Sequence, residues 1–365
     1  MNASDVLANL PIGEWAGPFD AALRGQAVDA LEAGRVLLLA QLPFRVATEE
    51  SFLLSPTVMG SERKNISFDP VGGSVSNTSL TGERLECLRG MLRRFGDGAE
   101  RLVRDLLPDY AQSLERARTS FRPAQIAGRD YSPRHDDRLL HVDAFPSRPM
   151  NGRRILRLFC NIAPDGAVRD WRVGEPFAAF AQRFLPRTGG AIPGSAWFLE
   201  RLGITRGRRS EYDRIMLRLH DTGKLDATYQ SGAPRADVAF AAGTTWLCFT
   251  DQVLHAALAG HCALEQTFHV PIAAMAHQER SPLRVLEGLA GRTLACGGSA
   301  VTLLAGVWSV AWRKQFCSLM GGLSRARCRR SRTSFHKRHC LATKGWCWIC
   351  RGSASLAVLH CELSW

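Results

Sequence analysis

His141 and Asp143, two residue types that ligate metal ions, stand two apart in the run Leu139-Leu140-His141-Val142-Asp143-Ala144-Phe145. Successive side chains of a strand point to opposite faces, so this spacing offers an imidazole nitrogen and a carboxylate oxygen on one face. A second histidine, His255, lies in a later strand candidate, residues 253–258. Two histidines and one carboxylate leave coordination positions open, as non-haem Fe(II) oxygenases require for a cosubstrate and O2. An H-x-D pair is short enough to arise by chance, and other histidines compete. His135 sits among Asp136 and Asp137, His220 precedes Asp221, and His261 and His269 flank the last strand candidate.

Arginines crowd the next stretch. Residues 148–172 hold Arg148, Arg153, Arg154, Arg157, Arg169 and Arg172 against two acids, Asp165 and Asp170. In the strand candidate 155–162, Leu156, Leu158, Cys160 and Ile162 make one apolar face, while Arg157 and Asn161 share the other. If that second face lines a closed interior, Arg157 is a permanently charged fork suited to a carboxylate such as that of 2-oxoglutarate. If the face is wet, as one face of an antiparallel sheet usually is, Arg157 is a surface charge. Many 2-oxoglutarate oxygenases carry a basic residue shortly after the distal histidine, but Glu265, Gln266, Thr267 and Phe268 occupy that region. The role then passes to another arginine, with Arg157 and Arg169 leading.

The elements that must position these groups change character along the chain. Residues 19–33 predict a helix, 35–41 a short apolar strand, and 83–107 an amphipathic helix with Leu85, Leu88, Met91, Leu92 and Phe95 on one stripe. From residue 139 onward, short β-like runs at 139–145, 155–162, 216–220, 245–249, 253–258 and 263–272 alternate with Gly, Pro, Asp and Asn turns, interrupted by a helical segment at 176–185. This order predicts an α+β chain with a mainly β core, a double-stranded β-helix of jelly-roll type, with a helical flank at 1–120 and the β core at 121–280.

The 47 basic and 34 acidic residues suggest a nucleic-acid binder until their placement is examined. Residues 297–365 hold 11 of the basic residues and one acid, leaving 36 and 33 for residues 1–296. The body is nearly neutral, and no nucleic-acid partner is expected. Its first residues lack a basic and then apolar leader, and its cysteines are scattered, which predicts a cytoplasmic protein with reduced thiols. The tail, residues 296–365, is basic and rich in cysteine. Residues 294–312 form an uncharged run just long enough to span a membrane, whereas Cys347 and Cys350 with His336, His339 and Cys340 lack the regular spacing of a structural zinc module. The favoured expectation is a poorly structured extension without a catalytic role, with membrane contact as the other reading.

Four blocks, HVDAFPSRPMNGRRILRLFCNIAP, RDWRVGEPF, RSEYDRIMLRLHDTGKLDATYQ and TTWLCFTDQVLHAALAGHCALEQTFHVP, together resemble the Kdo hydroxylases, in a likeness covering nearly all of residues 1–295. These are Fe(II)/2-oxoglutarate-dependent dioxygenases that hydroxylate C3 of 3-deoxy-D-manno-oct-2-ulosonic acid (Kdo) in the inner core of lipopolysaccharide. The resemblance implies iron ligation by His141, Asp143 and His255. It places Arg122, Arg157, Arg169 and Trp171 around the anionic cosubstrate and sugar, Arg157 and Arg169 being the cosubstrate candidates. It further implies Fe(II) as cofactor, 2-oxoglutarate and O2 as cosubstrates, and a Kdo-containing lipid A precursor met at the surface of the inner membrane. The alternatives are an oxygenase acting on another anionic small molecule and a non-catalytic jelly-roll module for acidic sugars.

Overall fold

The computed structural model describes residues 1–60, 64–128, 132–189 and 209–294, and beyond them only backbone strands at 341–343, 346–350 and 356–359. The chain divides into two compact units, Met1–Gly298 and Ser299–Trp365. The second unit contributes a three-stranded antiparallel sheet, where a poorly structured extension was expected. Its apolar runs, such as Trp346–Cys350 and Leu356–Leu359, suit paired strands. The zinc-ligand histidines considered above and most of the run 294–312 lie outside the described residues. Among the described residues no helix is long and apolar enough to cross a membrane.

Among its described residues the first unit contains eleven strands: β1 (Leu7–Asn9), β2 (Val36–Leu39), β3 (Ile66–Phe68), β4 (Val75–Ser76), β5 (Glu115–Arg122), β6 (Arg154–Asn161), β7 (Arg169–Gly174), β8 (Arg235–Phe240), β9 (Thr245–Phe249), β10 (His255–Ala259) and β11 (Ala263–Val270). Its α-helices of six or more described residues are α1 (Ala21–Glu32), α2 (Gly82–Leu106), α3 (Phe177–Phe184), α4 (Glu211–Leu225), α5 (Ala227–Gly232) and α6 (Pro282–Ala290). One sheet runs β1-β2-β9-β6-β11-β5-β3-β4 and the other β10-β7-β8. Along the chain β5 and β6 lie in the large sheet and β7 and β8 in the small one, and β9, β10 and β11 then fall in the large, small and large sheets in turn, which is the winding of a double-stranded β-helix.

Period-two alternation sorts the large sheet into two faces. Leu156, Leu158 and Cys160 of β6, Leu247 and Phe249 of β9, and Leu264 and Phe268 of β11 pack outward with Leu88, Met91, Leu92, Phe95 and Leu102 of α2. Each such side chain contributes about 1.5–3 kcal/mol when fully buried. On the inner side Phe159 and Trp246 meet Trp171, Val238 and Phe240 from the small sheet. The outer face of the small sheet is covered by α3, α4 and α6 through Phe180, Phe184, Ile215, Leu219 and Leu286.

Two expectations are corrected. Residues 216–220 are not a strand but lie inside α4, which starts at a capping box formed by Ser210 and Asp213. Met-Leu-Arg-Leu-His alternates well enough for a strand, yet Tyr212, Ile215, Met216 and Leu219 bury one helical face. Residues 139–145 form no full strand; only His141 bridges His255. The helical flank at 1–120 holds α1 and α2, and beside the strand expected at 35–41, which is β2, it also supplies β1, β3, β4 and most of β5 to the large sheet. β2 apart, these strands are short or carry polar residues on both faces, as in ERARTSFR of β5, so no alternation announced them.

Arg154 is fully buried at the start of β6. Its Nε donates to Asp251 Oδ2 at 2.7 Å and its Nη2 to Gln252 Oε1 at 2.6 Å, while the guanidinium lies 3.9 Å from the Phe249 ring centroid. Removing one partner of a buried ion pair strands the other charge in a dry interior, so Arg154→Met should cost about 3–5 kcal/mol of stability. In urea unfolding the double variant Arg154→Met, Asp251→Asn should recover part of that loss. Equal stability of Arg154→Met and the parent would contradict the pairing.

Candidate active site

The segment around His141 is held like an edge strand by substitutes for a ladder. His141 and His255 exchange backbone hydrogen bonds of 3.1 and 2.9 Å, and Asp143 N donates to Thr250 O at 2.8 Å. On the other edge the Gln230 side chain takes the place of a neighbouring strand: its Oε1 accepts from Leu140 N at 2.9 Å and its Nε2 donates to Leu140 O at 3.0 Å. Leu140 and Val142 point outward into the apolar cluster under α4. His141 and Asp143 therefore point inward, as the spacing predicted.

Inside, ligand atoms of His141, Asp143 and His255 all lie within 4.8 Å of one another. Each imidazole has its Nδ1 within hydrogen-bonding distance of a backbone carbonyl two residues earlier, His141 to Leu139 O at 2.7 Å and His255 to Val253 O at 2.9 Å. That contact selects the tautomer with the proton on Nδ1 and leaves the Nε2 lone pair for a metal. Burial pushes both imidazoles below their usual pKa, His141 further through its neighbour His255, so both are neutral donors near pH 7. Burial opposes ionisation of Asp143, but Arg157, whose Nη1 lies 3.1 Å from Asp143 Oδ2, outweighs it and holds the carboxyl below the usual range. Two neutral imidazoles and one carboxylate fit a divalent cation.

The cavity at these ligands, of about 210 Å³, is also lined by Lys64, Arg122, Asp137, Arg157, Phe159, Arg169, Trp171, Ala257 and Glu265. Arg157 lies inside, so the wet-face reading fails. Glu265, at the place where a basic partner was sought, joins the arginines instead: Arg122 Nη2 donates to its Oε2 at 3.2 Å, and Arg157 Nη1 lies 3.5 Å from its Oε1. Arg122 also donates to Asp137 Oδ2 at 3.2 Å, and Asp137 meets Lys64 Nζ at 3.0 Å. Burial disfavours the Arg122 cation, but Glu265 and Asp137 more than offset this and raise its pKa.

Arg169 differs from the other two arginines. It is buried, and its Nη1 donates to the carbonyl of Gly260 at 3.2 Å, with no carboxylate in ion-pair range among the described residues. Burial and then the Arg122 charge push it down to about 9, which leaves it a cation at neutral pH. Gly260, at φ +105°, permits this approach, because a Cβ there would lie 2.9 Å from Val168 O.

Trp171 stacks on His255 with ring centroids 5.2 Å apart and packs edge-on against Phe159 and Trp246. Its Nε1 and the Nε of Arg157 are buried donors without a hydrogen-bond partner among the described residues, which suits a cavity that takes an oxygen-rich ligand. Of the competing histidines, His220 lies edge-on to His141 at 5.4 Å, His261 pairs with Asp165 and His269 approaches Glu115. Lys64, Asp137, Glu265 and Gln230 were missed as site residues. Glu265 alone had a signal, its two-residue alternation with Thr267 and His269 along β11.

If this geometry holds the metal, the full chain should bind one Co(II) with the absorption of a low-symmetry site, and His255→Ala should abolish that band. Gln230→Ala, which removes only the clamp on Leu140, should weaken Co(II) binding about 10-fold, in the range of outer-shell losses. Unaltered affinity in both variants would dissolve the proposed centre.

A family model described as 3-deoxy-D-manno-oct-2-ulosonic acid (Kdo) hydroxylase matches residues 14–293. Among solved structures the chain is similar to the Kdo hydroxylase KdoO, a non-haem Fe(II) α-ketoglutarate-dependent dioxygenase, in complex with α-ketoglutarate and Fe(III). The identity is 43% and the TM-score 0.78, over 80% of this chain and 99% of that one. The cobalt(II) complex of KdoO matches at 44% identity and TM-score 0.78, over 80% and 98% of the two chains. No curated protein matches the chain. With the family model spanning most of its length and the KdoO structures covered almost end to end, the chain belongs to the Kdo hydroxylase family.

Proposed function

We infer that this chain is an Fe(II)/2-oxoglutarate/O2-dependent dioxygenase that hydroxylates Kdo. The observation that carries the reading is the His141, Asp143 and His255 set, neutral at both imidazoles and ionised at the carboxylate, facing a cavity with one surplus positive charge. That surplus comes from Lys64, Arg122, Arg157 and Arg169 against Asp137, Asp143 and Glu265. Iron held there supplies the oxidising chemistry that couples decarboxylation of 2-oxoglutarate to succinate with hydroxylation of the sugar.

The chain's own residues divide the remaining work. Arg169, the buried cation without a carboxylate partner, is assigned the distal carboxylate of 2-oxoglutarate. Arg157 positions Asp143 and, with Arg122, presents a cationic rim to the carboxylate of the sugar. Trp171 fixes the plane of His255 and offers its indole N–H to bound oxygen atoms. Phe159, Trp246 and Phe240 close the cavity floor against water. Reaction at C3, and a lipid A precursor as acceptor at the cytoplasmic surface of the inner membrane, are the finer parts of this proposal, supported by the family's sugar. Sedimentation of the full chain with vesicles that carry the acceptor tests the membrane part.

Incubation with Fe(II), ascorbate, 2-oxoglutarate and a Kdo-bearing acceptor should yield succinate and a product heavier by about 16 Da, one added oxygen. Arg169→Lys should raise the KM for 2-oxoglutarate about tenfold or more, since an ammonium loses one of two charge-assisted hydrogen bonds worth about 1.5–3 kcal/mol. Arg157→Lys should depress kcat instead, because one ammonium cannot serve both Asp143 and Glu265. An unchanged 2-oxoglutarate KM in Arg169→Lys would remove the assignment.

A chain ending after Gly298 should retain iron and full turnover on detergent-dispersed acceptor, because the residues lining the cavity all precede that point. Loss of either would make the tail part of the enzyme.

A further inference from the structure

Among the described residues the metal cavity is lined by no methionine, cysteine or tyrosine, and its aromatic groups are Trp171, Phe159 and the ligands His141 and His255. The imidazole lone pairs serve the metal, and a phenyl ring is harder to oxidise than an indole. Trp171 is therefore the most readily oxidised side chain that faces the cavity without ligating the ion.

The fold holds this indole at the site. Trp171 lies in β7, the central strand of the small sheet, paired with Val238 of β8 on one side and Ala257 of β10 on the other. Directly paired residues share a face, and Ala257, which also lines the cavity, is too small to cover the ring. The indole stacks on His255 at 5.2 Å and meets Phe159, Trp246 and Phe240 edge-on at 5.0, 5.5 and 5.6 Å. At 3% exposure it is shut off from bulk water, and its Nε1 has no hydrogen-bond partner among the described residues. Its remaining neighbour is whatever the cavity contains.

Decarboxylation of 2-oxoglutarate commits the reaction to oxidising a second group. With the acceptor in place that group is a sugar C–H. Without it, proximity selects among the bonds the chain itself presents. Resting on the hydroxylase reading above, we propose that Trp171 is a self-modification site, an indole C–H taking the place of the sugar C–H when no acceptor is bound. One atom of O2 enters that bond as a hydroxyl group and the other enters succinate. Trp171, 2-oxoglutarate and O2 then give hydroxylated Trp171, succinate and CO2, and no further oxidant or reductant is needed. The oxygen is fixed on a side chain that ligates nothing, which spares His141 and His255. Trp246, the next indole, is fully buried and does not line the cavity, so the modification stops at the first ring.

The test uses the full chain with Fe(II), 2-oxoglutarate and O2, without and with a Kdo-bearing acceptor, and reads peptide masses beside succinate. Without acceptor the peptide that carries Trp171 should gain about 16 Da, or about 18 Da under 18O2, one oxygen from O2, and fragment ions should place it on Trp171. Omission of 2-oxoglutarate should abolish the gain. Acceptor at about ten times its dissociation constant should lower the label about tenfold, because the unoccupied fraction falls by one plus that ratio. A label on Phe159, Trp246 or Cys248 in place of Trp171 overturns the site, as does one that marks exposed Met1 and half-buried Trp15 alike and ignores the acceptor. Succinate formed without acceptor and without any label overturns it too. A chain that forms succinate only with acceptor also overturns it, and leaves the hydroxylase reading standing. No succinate under either condition removes the hydroxylase reading, and the self-modification with it.

Discussion

A row of alternating charges crosses the interior of the barrel: Asp143, Arg157, Glu265, Arg122, Asp137 and Lys64, each within 3.0–3.5 Å of the next. In a medium of low dielectric a lone ion is costly, and a pair is tolerable only when its remaining valences are met. Asp137 and Asp143 share one segment and the other four come from four separate stretches of chain, so the strands can close around the cavity only in the register that completes the row. Closure and function are therefore coupled. The same Arg157 that neutralises Glu265 keeps Asp143 ionised, and an ionised Asp143 between two neutral histidines is the state a divalent cation needs.

The row also explains where the cavity ends. Toward β8 and β9 the inner faces carry Phe159, Trp246, Trp171 and Phe240, which stack and meet edge-on and admit no water. Toward β3 and β5 they carry arginines and hydroxyl groups. The metal ligands sit at the boundary, with an apolar wall behind them and a polar approach in front. An oxidising centre benefits from that arrangement, since a dry wall limits side reactions while the polar side orients an anionic, hydroxyl-rich acceptor. Gly260 and Gln230 make the boundary geometrically feasible. Glycine lets a turn lie against Arg169, and the glutamine side chain supplies the hydrogen bonds that an absent edge strand would have given to Leu140.

Much of this was legible in order of residues. The alternation in residues 139–145 aimed His141 and Asp143 to one side, the apolar face of β6 set Arg157 apart from it, and the 3.6-residue spacing of α2 predicted its buried stripe. Four long blocks in the right order carried the family. These are local properties, since periodicity follows from backbone geometry whatever the chain packs against. Where local signals are shared by two structures the sequence misleads: residues 216–220 alternate like a strand but belong to α4, whose cap and buried face span more residues than that window.

What only the tertiary structure decided is which face is dry and which charges meet. Whether Arg157 points to solvent or to the cavity depends on β10, β7 and β8 lying over the inner face of β6, and that placement is set by chain segments far apart in sequence. Sequence alone left Arg157 and Arg169 equivalent as cosubstrate candidates. In the fold Arg157 finds Asp143 and Glu265, while Arg169, among the described residues, finds a backbone carbonyl and no carboxylate. An arginine's charge is the same everywhere along a chain, and its chemistry is determined by the partners and dielectric that folding places around it.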